Sequence, residues 1–122
     1  MAIQPTQILH AALLVSDLSR AEAFYGGLLG LTKIERSLKF PGLWYQLGDS
    51  QLHLIASDAL PTGANHTKWG RRPHLALAIA NLDAAVAQLT AAQYPLQMSA
   101  SGRRALFVQD PDGNVIELTE QR

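Results

Sequence analysis

The sequence predicts an α+β fold built from two modules, each with the order strand, helix and three strands (βαβββ). The first observation is an internal repeat: the offset of 64 residues that carries His10 onto His74 also carries His53 onto Glu117. The second is that residues 10–18 and 74–82 match in step along this offset. A fixed internal period is typical of a duplicated structural unit. Because the copies carry imidazole and carboxylate groups at equivalent places, we expect a site between them.

The first module is predicted to span residues 8–56. Aliphatic residues predict a first strand over 8–15, and Ser19 with Glu22 forms a predicted capping box for the helix that follows. This helix carries Phe24 and Tyr25 and is expected to end at Gly30. Three further strands are predicted, the last two joined as a hairpin through residues 48–50. Their ranges are 32–38, 43–47 and 51–56.

The second module is predicted to span residues 74–119, after a linker over 57–73 that is rich in proline and glycine. Its helix is expected over residues 82–92, where apolar residues recur at helical spacing. Asp110-Pro111-Asp112-Gly113 predicts a tight turn before the last strand. The predicted strands cover residues 74–80, 96–99, 105–109 and 114–119.

Composition limits the classes of partner. The 122 residues suit a single domain, with 10 Lys and Arg residues against 10 Asp and Glu residues. This balance provides no overall field toward nucleic acid or an anionic membrane, so a small-molecule substrate is expected. The chain has no cysteine, which excludes disulfides, a thiolate nucleophile and cysteine-ligated zinc. A secretory signal pattern is absent, and no apolar run approaches about 18 residues, so a cytoplasmic location is expected.

Four potential metal ligands stand out in the strand pattern: His10, His53, His74 and Glu117. Side chains alternate between the faces of a strand, and each of these four lies opposite a run of apolar residues. If the two sheets curl toward each other, the four groups can converge on one ion. The alternative is that each is an ordinary polar residue on the solvated face of a sheet. Imidazole and carboxylate together favour a divalent transition metal, namely Ni, Co, Zn, Mn or Fe, over Ca or Mg.

These residues and their neighbours resemble the vicinal oxygen chelate superfamily, the glyoxalase/bleomycin-resistance/extradiol-dioxygenase group. The matching segments are His10 at a strand start, Asp17-Leu18, Phe24-Tyr25, Leu29-Gly30-Leu31, Gln51-Leu52-His53-Leu54, Pro73-His74, Asp110-Pro111-Asp112-Gly113-Asn114 and Ile116-Glu117-Leu118. The resemblance implies a U-shaped cavity around a divalent metal, commonly in a homodimer. It also implies that His10, His74 and Glu117 bind the metal, whereas the position of His53 varies among members.

The function predicted from this resemblance is a metal-dependent glyoxalase-like lyase or isomerase that acts on a small substrate with adjacent oxygens, with Glu117 as the catalytic base. The first alternative is a non-haem Fe(II) dioxygenase, because His10, His74 and Glu117 also form a two-histidine-one-carboxylate set. The second is a non-catalytic drug-binding resistance protein, which the retained ligands disfavour. Fosfomycin-type transfer fits less well, because Phe107 aligns where those enzymes tend to have a tyrosine.

Candidate substrate contacts come from the two hairpins. Either Trp44 or Tyr45 faces the site on one hairpin, and either Leu106 or Phe107 on the other, because the turn register decides the face. We predict Trp44, Tyr45 and Phe107, with core packing as the alternative for each. Arg103 and Arg104 can hold an anionic substrate, and Arg104 is the predicted contact; a solvated arginine pair is the alternative.

Overall fold

The protein consists of two four-stranded sheets with few helices. Each half of the chain forms one sheet. A computed structural model describes residues 1–36, 39–58 and 66–121. The chain divides into two units, Met1–Asp58 and Ala59–Arg122. The predicted α+β class is confirmed. Part of the strand predicted over residues 32–38 and part of the 57–73 linker lie outside the described residues.

In the first unit, the sheet has the strand order β1-β4-β3-β2, and β1 runs parallel to its neighbour β4. The other pairs are antiparallel hairpin pairs. The elements are β1 (His10–Val15), α1 (Leu18–Glu22) continued by a π-helical turn (Ala23–Leu28), β2 (Thr32–Ile34), β3 (Gly42–Leu47) and β4 (Ser50–Ala56).

The second unit repeats this topology, with the order β5-β8-β7-β6 and a parallel pair between β5 and β8. Its elements are a short 3₁₀ turn (Trp69–Arg71), β5 (His74–Ile79), α2 (Leu82–Ala91), β6 (Leu96–Met98), β7 (Ala105–Gln109) and β8 (Val115–Glu120). Parallel strands need a crossover connection, which the helix and the two intervening strands supply.

The start of α1 differs from the sequence prediction. Asp17 is the N-cap, and its Oδ1 accepts a hydrogen bond from the Arg20 amide at 3.0 Å. The predicted capping box of Ser19 and Glu22 is wrong: Glu22 is the last residue of α1, and its carboxylate pairs with Lys33 at 2.8 Å. Asn81 caps α2 in the same way, accepting from the Ala84 amide.

A wide helical turn follows α1. The amide of Leu29 donates to the carbonyl of Phe24, a five-residue separation that defines a π turn. Phe24 and Tyr25 are both buried from this turn. Gly30 ends it at a φ of +75°, as predicted, because this left-handed conformation favours glycine.

The turn between β7 and β8 confirms the predicted tight turn. Asp110 is buried, and its Oδ1 accepts hydrogen bonds from the amides of Asp112 and Asn114, both at 2.9 Å. Gly113 adopts a φ of +88°. The side chain of Asp110 thus accepts the hydrogen bonds of amides that have no strand partner in the turn. This fixes the register in which β8 begins.

The apolar faces of both sheets carry the core. Leu52, Leu54 and Val15 are fully buried in the first unit, as are Leu106, Val108 and Ile116 in the second. These residues lie on the faces opposite the candidate ligands, as strand alternation predicts. Among the described residues, no helix is both long enough and apolar enough to span a membrane.

Candidate metal centre

The structure brings two of the four predicted ligands together in the second unit. His74 opens β5, and Glu117 lies on the adjacent strand β8, opposite Ala76 in the parallel register. The Nε2 atom of His74 is 3.2 Å from Oε1 of Glu117. The Glu117 side chain is 7% exposed and that of His74 is 24% exposed. The pair is therefore a partly covered site in which one imidazole nitrogen and one carboxylate oxygen face each other.

The second carboxylate oxygen of Glu117 is also engaged. Thr119, two residues further along β8 and on the same face, donates its hydroxyl to Oε2 at 2.5 Å. Arg103 places Nη1 3.4 Å from the same oxygen. Burying a carboxylate costs free energy unless it is paired, and these two contacts supply that compensation. The Thr119 contact was not predicted from the sequence, although its position two residues after Glu117 was a usable signal.

The backbone orients the imidazole of His74. Nδ1 lies 2.7 Å from the carbonyl oxygen of Arg72, which only accepts hydrogen bonds, so Nδ1 carries a proton. In the neutral ring Nε2 is then unprotonated and faces the Glu117 carboxylate, so that two acceptors oppose each other. Such an arrangement needs a proton or a metal ion between the two atoms. An imidazole oriented through Nδ1 beside a buried carboxylate therefore fits two ligands of a divalent transition metal.

Phe107 covers this pair. It lies opposite Glu117 in the β7–β8 register, and its ring meets the His74 ring edge-on with centroids 5.4 Å apart. Leu106 points to the opposite, core face and is fully buried. The register thus resolves the sequence alternative, placing Phe107 rather than Leu106 beside the candidate ligands.

The two candidate ligands of the first unit form a ring stack with Trp44. The His10 and His53 rings stack with centroids 4.1 Å apart and planes 15° apart, and Trp44 stacks on the other face of His53 at 4.1 Å. A metal–imidazole bond lies in the ring plane, so the lone pairs of two nearly parallel, stacked rings lie in separate planes, with the ring centroids 4.1 Å apart. In this arrangement His10 and His53 do not converge on one point, and joint ligation requires one ring to turn.

A chain of amide groups sets the tautomer of His53. Gln46 donates its amide nitrogen to the carbonyl oxygens of Gly48 and Ser50, which fixes its orientation. Its oxygen then accepts from Gln51, whose own oxygen lies 2.8 Å from Nε2 of His53. Nε2 is therefore the protonated nitrogen of the neutral ring, and Nδ1 holds the available lone pair. Burial lowers the pKa of His53, and the nearby charges of His10 and Arg36 lower it further.

Two of the predicted substrate contacts, Tyr45 and Arg104, do not lie beside the candidate ligands. Tyr45 is fully buried on the core face of β3, with its ring 6.3 Å from that of Tyr25, and burial raises its pKa to about 12. Arg104 is exposed and pairs with Glu120 at 2.9 Å and with Asp83 at 3.3 Å. The arginine that approaches the candidate ligands is its neighbour Arg103.

A cavity of about 610 Å³ lies in the second unit, with Phe107 in its wall. Gln97 builds one side of it by accepting from the Trp69 amide and donating to the Thr67 carbonyl, both at 2.9 Å. Gly70 lies so close to Phe107 that a Cβ there would be 2.6 Å from the ring. The other polar groups in its wall belong to Lys68, Arg71, Ser99 and Ser101.

Within residues 1–36, 39–58 and 66–121, no group of three or more histidine, aspartate and glutamate side chains forms a metal-binding cluster. The described geometry thus contains two fragments of the predicted ligand set. One is the facing pair His74 and Glu117, and the other is the stacked pair His10 and His53.

Comparison with known families places this site in context. The model of the Glyoxalase/Bleomycin resistance protein/Dioxygenase superfamily matches residues 7–118, almost the whole chain. The protein belongs to this superfamily. No curated protein matches the chain at a significant level.

Solved structures show the same fold. A glyoxalase family protein from Bacillus anthracis has a TM-score of 0.81 and 22% identity, with 100% of both chains covered. Lactoylglutathione lyase from Agrobacterium tumefaciens has a TM-score of 0.70 and 25% identity, covering 96% of this chain and 95% of that one. The fosfomycin resistance protein FosX from Listeria monocytogenes, solved with Mn(II) and 1S,2S-dihydroxypropylphosphonic acid, has a TM-score of 0.78 and 17% identity, covering 95% and 93%.

Proposed function

We propose that the protein is a divalent-metal-dependent, glyoxalase-like lyase or isomerase that acts on a small substrate with adjacent oxygens. The observation that carries this proposal is the contact between His74 and Glu117, a backbone-oriented imidazole nitrogen 3.2 Å from a buried carboxylate oxygen. Membership of the superfamily and the likeness to lactoylglutathione lyase support it.

The proposed ligands are His74 and Glu117, together with His10; His53 is placed last because its ring is stacked between those of His10 and Trp44. The proposed metals are Ni, Co, Zn, Mn and Fe, and FosX, which shares the fold, was solved with Mn(II). A bound divalent ion would supply Lewis acidity, which stabilises negative charge that develops on adjacent substrate oxygens. A homodimer is proposed on the resemblance to the superfamily.

Glu117 is the proposed base. A carboxylate can accept a proton from a carbon beside a carbonyl when an oxygen lies within about 3 Å of that proton. Both oxygens of Glu117 have partners, and the longest of these contacts is the one to Arg103, at 3.4 Å. Release of Arg103 frees a lone pair of Oε2 while Thr119 keeps the carboxylate in place. Phe107, which lies opposite Glu117 in the register, limits the approach of water from its side.

Activity and metal content test the proposal together. Protein purified without added metal or chelator is analysed for bound metal and assayed with hemithioacetals and 2-oxo acids. Turnover that Glu117→Gln lowers by about a hundredfold or more, with the fold and the bound metal retained, supports Glu117 as the base. Asp83→Asn is the matched control, because Asp83 is an exposed acid of the same unit, and it should keep wild-type turnover.

The same preparation separates the alternatives. Bound iron with oxygen uptake on catechol-like compounds supports the Fe(II) dioxygenase. Absence of metal together with tight binding of a drug-like ligand supports the resistance protein. Either result would contradict the lyase or isomerase proposal.

A further inference from the structure

Arg36, in the first unit, lies beside a cavity of about 360 Å³ and has two side-chain nitrogens with no hydrogen-bond partner among the described residues. Arg36 follows β2, and its Nε and Nη2 atoms are shielded from solvent and have no hydrogen-bond partner among the described residues. A buried cationic donor that is left unpaired costs more free energy than the loss of an ordinary hydrogen bond. The position of Arg36 is therefore not explained by pairing within the described part of the chain.

Aromatic rings hold the guanidinium in place. Its Cζ atom lies 4.9 Å from the ring centroid of Phe40 and 5.9 Å from that of Trp44. Gly42 leaves room for it, since a Cβ there would lie 3.4 Å from Nη2 and 2.4 Å from the Leu54 carbonyl oxygen. Contacts with ring faces orient a guanidinium through its flat surface and leave its N–H groups unused.

The two unpaired nitrogens belong to one edge of the guanidinium. The N–H bonds of Nε and Nη2 are nearly parallel, and this edge takes both oxygens of a carboxylate in a bidentate pair. Arg36 is also the cation best placed to serve the cavity: Lys33, which lines it as well, is paired with Glu22 at 2.8 Å. Glu35 is the acid in the wall, and within the described residues it forms no ion pair with Arg36.

We propose that Arg36 binds the carboxylate group of a small ligand in this cavity, and that the ligand is the substrate of the proposed enzyme. The second part rests on the proposed function. Trp44 forms part of the cavity wall and stacks on His53, which stacks on His10, so one ring separates the cavity from His53 and two rings separate it from His10. A volume of about 360 Å³ suits a small organic acid. Since Nε and Nη2 are shielded from solvent in the described structure, binding requires the guanidinium to turn this edge toward the cavity.

Tryptophan fluorescence tests the binding directly. The chain has two tryptophans, and Trp69→Phe leaves Trp44, which lines the cavity, as the single reporter. Full-length Trp69→Phe protein is titrated with propionate, with its uncharged analogue propionamide and with inorganic phosphate, both as purified and after treatment with EDTA. A saturable change with propionate, absent with propionamide, is expected in both preparations.

Variants of Arg36 identify the binding group. Arg36→Met should weaken propionate binding by about tenfold or more, and Arg36→Lys, which keeps the charge without the bidentate edge, should also weaken it. Arg71→Met is the matched control, since it removes an exposed cation from the wall of the other cavity, and it should bind propionate within about twofold of the parent. Circular dichroism verifies that each variant folds.

Three results would overturn the assignment: no saturable change with propionate, unchanged affinity in both Arg36 variants, or tighter binding of phosphate than of propionate. Because the EDTA-treated protein is included, carboxylate binding is measured without a metal. Failure of metal binding with intact propionate binding therefore contradicts the proposed function alone, and the reverse pattern contradicts this inference alone.

Discussion

At the residue scale, the fold tolerates polar groups that its core does not satisfy. Tyr45 is fully buried, and its hydroxyl has no hydrogen-bond partner within the described part of the chain. A buried hydroxyl without a partner keeps its desolvation cost, whereas the ring still contributes apolar burial. The ring therefore stabilises the first unit, and the hydroxyl opposes that stabilisation.

We predict that Tyr45→Phe keeps or raises the free energy of unfolding, by up to about 2 kcal/mol, in urea denaturation at neutral pH. Burial raises the pKa of Tyr45 from 10.0 to about 12, with a smaller contribution from Glu22, so the folded state favours the neutral phenol. The preference of the folded state for the neutral phenol costs no stability below pH 10. The free energy of unfolding falls as the pH rises from 10 through about 12. Tyr45→Phe should thus flatten the loss of stability between these two values.

The matched comparison is Tyr45→Ala, which removes the ring and should cost about 3 to 5 kcal/mol. A Tyr45→Phe protein that is less stable than the parent by more than about 1 kcal/mol would show that the hydroxyl has a partner.

His53 provides a second test at this scale. Its pKa is lowered mainly by burial and further by His10 and Arg36, so the folded state favours the neutral ring. The resulting stabilisation is present above pH 6.5 and is lost as the pH falls through the lower folded pKa. An NMR titration of EDTA-treated protein should give a midpoint below 6.5 for His53, and Arg36→Gln should raise that midpoint. A midpoint above 6.5 would contradict the described surroundings of the ring.

At the element scale, the internal repeat identifies both helix starts, whereas the capping-box pattern points to the wrong residue in the first helix. Asp17 and Asn81 occupy equivalent positions in the 64-residue offset, and both are N-caps. The sequence pattern favoured Ser19 with Glu22 because a serine followed by a glutamate three residues later fits a capping box. The π turn was not predictable from the pattern, because Gly26 and Gly27 also suit a weak α-helix.

We predict that Asp17→Ala lowers the free energy of unfolding by about 0.5 to 2 kcal/mol, because it removes the acceptor of the Arg20 amide. Ser19→Ala is the control, and it should change stability by less than about 0.5 kcal/mol. Thermal denaturation of both variants measures the difference. A larger loss in Ser19→Ala than in Asp17→Ala would restore the capping box.

Two glycines give a second prediction for the elements. Gly70→Ala should lower the free energy of unfolding by about 1 to 3 kcal/mol, because the new Cβ would lie 2.6 Å from the Phe107 ring, which must then move. Gly27→Ala meets no atom within 4 Å and should instead stabilise its helical turn by up to about 1 kcal/mol. Urea denaturation measures both changes, and equal effects of the two substitutions would refute the close contact of Gly70.

At the scale of the whole molecule, the sequence predicted the fold class, the order of helices and strands along both copies, and the family. It could not decide which hairpin side chains face the site, because a shift of one residue in the turn exchanges neighbours between the two faces. The structure pairs Leu47 with Ser50, which places Trp44 opposite His53 and leaves Tyr45 in the core. Arg103 and Arg104 are adjacent, so which of them approaches Glu117 depended equally on the local backbone.

The central claim is that His74 and Glu117 hold a divalent metal, and metal analysis of purified variants tests it most directly. Wild-type protein should contain close to one transition-metal ion per chain or per site. His74→Ala and Glu117→Ala should each lose most of it, since each removes a ligand. His53→Ala should lose less, because the ring of His53 is stacked between those of His10 and Trp44. Equal metal retention by all three variants, each correctly folded, would contradict the account.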